Sequence, residues 1–118
     1  MRDPRVPFDN RLTVMQTDAP DTRELSAEIA ALLDAPSGGA GAPSLSALED
    51  TLTTGYARAL ALEAERERIE RGLLRATGLE QADLNRRLER VKLELTDLRR
   101  LLVPLRSRAR AVRSLTIT

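Results

Sequence analysis

Arginine is the residue type through which this sequence most openly offers chemistry. After Asp97 no acid follows, while Arg99, Arg100, Arg106, Arg108, Arg110 and Arg113 do. A guanidinium carries a permanent charge and a fork of donors matched to phosphate. Such a run therefore offers a surface for nucleic acid or another polyanion. No aromatic residue is interleaved with it for base stacking. The same charges also suit the negative end of a helix. Other chemistry is narrowed by what is missing. With no Cys and no His, the chain lacks disulfides, thiol nucleophiles, the usual N/S zinc sites, haem ligands and His-based acid–base catalysis.

Carboxylates are the second group. Glu67 and Glu70 stand three residues apart, and so do Glu94 and Asp97. Two such pairs on adjacent helices resemble the magnesium-binding Glu-x-x-Glu and Glu-x-x-Asp pairs of the all-α NTP pyrophosphatases. The resemblance implies a magnesium-dependent nucleotide pyrophosphatase, whose four carboxylates face a shared interior. This sequence departs from that pattern. Helical lettering turns Glu67 and Asp97 outward, and Arg66 stands where a further acid is expected. No catalytic, cofactor-binding or metal site is assigned, and no small-molecule substrate or cofactor is expected.

The elements that must position these groups are helical. The 118 residues are 42% hydrophobic, yet Phe8 and Tyr56 are the only aromatics. Chains rich in Ala, Leu, Glu and Arg form long helices rather than cores with shaped pockets. Met1 to Asn10 carries charges and two prolines where a signal peptide has its apolar centre. No run reaches the ~18 apolar residues of a membrane span. The expectation is a cytoplasmic protein with no membrane contact.

Residues 1–20 read as an extended arm, with a short strand possible around Leu12-Thr13-Val14. Residues 21–34 read as a short docking helix, capped by Asp21 with Glu24 three residues on. Its stripe is Leu25, Ile29, Leu32 and Leu33. Ala35 to Pro43, rich in Gly, Ala and Pro, reads as a flexible linker. Residues 44–113 read as a helical hairpin. Ser46 with Glu49 offers a capping box at its start, with Ser44 as the alternative cap. The turn falls near 77–79, where Gly78 suits a left-handed backbone. A kink is expected near Pro104. Residues 114–118 form a tail that alternates like a strand.

The spacing of Leu84, Leu88, Val91, Leu95, Leu98, Leu102, Leu105, Ala109 and Val112 alternates four and three, as an a/d heptad does. Leu45, Leu48, Leu52, Gly55, Ala59, Leu62, Arg66, Ile69 and Leu73 follow the same rule. A short turn makes the two helices antiparallel. Folding about Gly78 sets Leu73 near Leu84, Ala59 near Leu98 and Gly55 near Leu102. One flank then brings Glu49, Tyr56, Glu63 and Glu70 against Asn85, Lys92, Arg99, Arg106 and Arg113. Leu60, Leu74, Leu93 and Leu101 fall outside both seams. With Leu25, Ile29, Leu32 and Leu33 they make a candidate interaction surface.

The expected fold is thus all-α: an antiparallel two-helix coiled-coil hairpin with a short extra N-terminal helix and an extended N-terminal arm. The expected function is a non-enzymatic structural or adaptor protein acting through coiled-coil protein–protein contact, either as a homo-oligomer or with a protein partner. The alternative is a nucleic-acid-associated protein using the Arg-rich end, and after it the pyrophosphatase.

Overall fold

The computed structural model describes residues 22–117. Among them the chain is all-α, with three helices: α1 (Thr22–Asp34), α2 (Leu45–Leu73) and α3 (Gly78–Ile117). The arm expected over residues 1–20, its strand and the Asp21 cap lie outside the described residues. No helix is long and apolar enough to cross a membrane among the described residues. The forty residues of α3 correspond to about 60 Å of helix. That matches the longest dimension of the molecule, 58 Å.

A thirteen-residue helix such as α1 is marginal in water without tertiary contacts. Packing holds it here. Leu25 and Ile29 are fully enclosed, and Leu32 and Leu33 are half-buried against the same core. The stripe read from the spacing is the face that docks, chiefly on α3 and more lightly on α2. Residues 35–43 turn the chain from α1 to α2. The Ala42 N–H donates to the Gly39 carbonyl at 3.2 Å, and Gly39 takes φ +84°.

The cap of α2 is Ser44, not Ser46. The Ser44 backbone is extended (φ −71°, ψ 158°), and its hydroxyl accepts the Ala47 N–H at 3.0 Å. That geometry satisfies one of the donors that a helix start leaves open. Ser46 already lies inside the helix, so the Ser46–Glu49 box does not form. Glu49 pairs instead with Arg113. At the far end Gly78 takes φ +61°, the left-handed backbone that a side chain with a Cβ adopts only at a cost. The chain reverses there.

One expectation about α3 is corrected: the helix runs on to Ile117 rather than ending in a strand-like tail. Pro104 lies inside the helix, which is continuous on both sides of it. Pro104 is on the exposed side, so the Arg100 carbonyl, which has no donor at position 104, faces water rather than a core. For Ser114 to Ile117, an existing helix extends at little cost per residue. An isolated strand there would need a partner.

The two apolar series meet as a buried seam. On α3, Leu88, Val91, Leu95, Leu98, Leu102, Leu105 and Ala109 are buried, with Leu84 and Val112 half-buried at the ends. On α2, Leu48, Gly55, Ala59, Leu62 and Ile69 are buried. Gly55 lies against Leu102 and Gly72 against Leu84. Glu49 pairs with Arg113 and Glu63 with Arg99. Rising numbers on one helix meet falling numbers on the other, so α2 and α3 run in opposite directions.

At Gly55 the space that a side chain would need is already taken by Leu102. A Cβ there would stand 2.5 Å from Leu102 Cδ2. Replacing a helical Gly by a better helix former normally gains up to about 1 kcal/mol. Here the space is filled, and overpacking costs about 1–3 kcal/mol. Gly55→Leu is therefore expected to lower the melting temperature, read by circular dichroism. Adding Leu102→Ala should recover part of the loss. Independent losses in the double variant would show that the two sites are not in contact.

Candidate interaction surface

The arginines singled out in the sequence are dispersed by the fold. Arg99 pairs with Glu63 and Arg113 with Glu49, both across the α2–α3 seam. Arg100 lies 3.9 Å from Asp97, one turn back on its own helix. Arg108 turns to the other side of α3. Its guanidinium donates to the carbonyls of Leu32, Leu33, Ala35 and Pro36. The last carbonyls of a helix have no intrahelical donor, and they form the negative end of its dipole. Arg108 supplies both the donors and the charge. It is a clamp on α1 rather than a member of a polyanion site. Arg106 and Arg110 are the two of the six with neither an ion pair nor a side-chain hydrogen bond among the described residues.

At its other end α1 is held by Arg58, whose Nε donates to Thr22 Oγ1 at 2.8 Å. Thr22 is buried there, and this bond satisfies its hydroxyl. Arg58 and Arg108 thus tie the two ends of one helix to one side of the α2–α3 pair. Glu94, Asp97 and Leu101 line a concavity beside Thr22, Arg23 and Ser26 on that same side.

The apolar candidates divide in the same way. Leu25 and Ile29 are fully enclosed within the chain. Leu32, Leu33 and Leu101 are half-buried against the core. Leu60, Leu74 and Leu93 stay largely exposed. The structure adds Tyr56 (42% exposed) and Val103 (67%) beside Leu60 (66%). These three line a groove of about 630 Å³ with Glu63, Arg99, Arg106 and Arg110. A signal for Val103 was present in the sequence. It stands four residues after Arg99 and three before Arg106, on the flank already read as charged.

On α3, Glu94, Asp97, Leu101 and Arg108 fall on one side of the seam. Arg99, Val103, Arg106 and Arg110 fall on the other, about half a helical turn round. The groove therefore opens on the face opposite α1. Glu67 and Glu70 are exposed on the α2 rim of that face. The carboxylate pairs Glu67/Glu70 and Glu94/Asp97 thus lie on opposite sides of the pair of helices. No three carboxylates converge as a metal site would need among the described residues. No family model, curated protein or solved structure matches the chain.

Proposed function

We propose that this chain is a non-enzymatic structural or adaptor protein that works by helix–helix contact. In this reading α2 and α3 form an antiparallel coiled-coil hairpin, α1 braces one side of it, and the opposite side meets another protein chain, first of all a second copy. One observation carries the reading. An uninterrupted apolar seam occupies the inward face of α3, while the outward groove keeps Tyr56, Leu60 and Val103 in water. A two-helix layer with one side covered is marginal by itself, and association is the common remedy in small domains.

The nucleic-acid reading loses support from Arg99, Arg108 and Arg113, which are engaged inside the chain. A chain that associates should show, by light scattering, a mass rising from 13.0 kDa towards a multiple of it as concentration rises. Helicity by circular dichroism should rise in parallel. A mass fixed at one copy over the accessible range would remove self-association from the reading. Salt-sensitive binding to duplex DNA or RNA would move the reading to the nucleic-acid alternative.

A further inference from the structure

We infer that the face opposite α1 is a self-complementary docking surface for a second copy of this chain, arranged as a two-fold antiparallel pair centred on Leu60. The inference rests on the self-association proposed above and specifies where and how it happens.

Most charges on this face cancel within the chain: Arg99 with Glu63, Arg113 with Glu49, and Lys92 with Glu89 at 3.7 Å. Four remain without an ion pair among the described residues. Arg106 and Arg110 stand towards one end of the face, Glu67 and Glu70 towards the other. A surface with a basic end and an acidic end matches an inverted copy of itself. The uncharged middle holds Leu60, Val103 and Tyr56.

The positions can be set out along the helices. From Arg99 to Arg113 is fourteen residues, and from Glu63 back to Glu49 is fourteen. Arg106, halfway along the first span, is level with Tyr56, halfway along the second, and the two line one concavity. Arg110 is likewise level with Leu52. The midpoint between the levels of Arg106 and Glu67 falls within two residues of Leu60. So does the midpoint between the levels of Arg110 and Glu70. A single two-fold axis near Leu60, perpendicular to the helices and lying in the interface, lays α3 on the other copy's α3 and α2 on its α2, and brings each arginine within about one helical turn of the level of a glutamate on the other copy, diagonally across the groove. Arg106 then lies nearest in level to the partner's Glu67 and Arg110 to the partner's Glu70. Each match occurs twice, as in any isologous contact. The apolar middle meets itself, and the charges set the direction of approach. A parallel approach would bring like-charged ends together.

Charge reversal tests the arrangement. Variant one is Arg106→Glu with Arg110→Glu; variant two is Glu67→Arg with Glu70→Arg. All four sites are exposed, and unchanged circular dichroism confirms that each variant folds. Each variant alone leaves like charges at the matching levels of the two copies, so its dimer should weaken at least about tenfold. Mixed one to one, the two are complementary at all four levels, and a heterodimer should form with affinity near that of the unmodified chain. Sedimentation equilibrium reads both effects. If the unmodified chain dimerises and both variants dimerise equally well alone, this face is wrong while self-association stands. If the variants weaken but mixing restores nothing, the inverted geometry is overturned. A monomeric unmodified chain overturns both the inference and the self-association beneath it.

Discussion

Leu98→Ala is expected to destabilise the protein by roughly 3–5 kcal/mol, the upper part of the range for a buried Leu-to-Ala change. Leu98 is fully enclosed, mid-seam on α3. The size of the effect follows from what lies across from it. Gly55 faces Leu102, so about one helical turn along, Ala59 faces Leu98. Neither Ala59 nor Gly55 has a side chain that can swing into the vacated space. The cavity stays open, and its cost adds to the lost transfer energy. In a domain of this size each kcal/mol shifts the melting temperature by several degrees, so a fall of more than about 10 °C is expected on thermal denaturation. Leu93→Ala, on the same helix but largely exposed, should change stability by no more than about 0.5 kcal/mol. Equal effects at the two sites would show that the seam is not the core.

Arg108→Met should have the second-largest effect, confined to one element. The substitution keeps most of the aliphatic stem and removes the donors to Leu32, Leu33, Ala35 and Pro36. Hydrogen bonds from a charged group contribute about 1.5–3 kcal/mol each when buried. These carbonyls are only partly buried, and water replaces some of what is lost. The net cost is expected to be about 2–3 kcal/mol in total, well below the sum. Because α1 is not stable alone, the loss should appear as local opening. Amide exchange over residues 22–34 should speed up roughly thirtyfold or more, while the centres of α2 and α3 keep their protection. Arg108→Lys retains the charge but not the planar fork of donors, and should recover part of the protection. Uniform acceleration across all three helices would show that α1 is not a separate unit.

Much of the fold was legible before any coordinates. The alternation of four and three from Leu84 to Val112 places nine side chains on one face, because a helix returns to the same direction at that interval. All nine are buried or half-buried. The flank with Glu49, Glu63, Arg99 and Arg113 was legible for the same reason, and two of its acid–base pairs form. Gly78 was readable because few residues tolerate the backbone needed there. The errors came at helix ends, where several local patterns compete. Ser44 and Ser46 were both chemically fit to cap α2, and backbone direction chose between them. The alternation from Ser114 to Thr118 fitted a strand only while the length of α3 was unknown.

The sequence by itself determined where the three helices lie, short of their ends, and which faces of the two long helices are apolar, because both follow from periods of three to four residues along the chain. Only the tertiary structure decided on which side of that pair α1 lies. The stripe of α1 fits either flank, and the choice rests on contacts between residues more than seventy positions apart, such as Arg108 with Leu33. That choice separates the arginines. One is spent on the end of α1, two are spent on carboxylates across the seam, and Arg106 and Arg110 are left facing a groove with Leu60 and Val103. An arginine's neighbours in sequence share its composition, but its charge partner is set by where the chain returns in space.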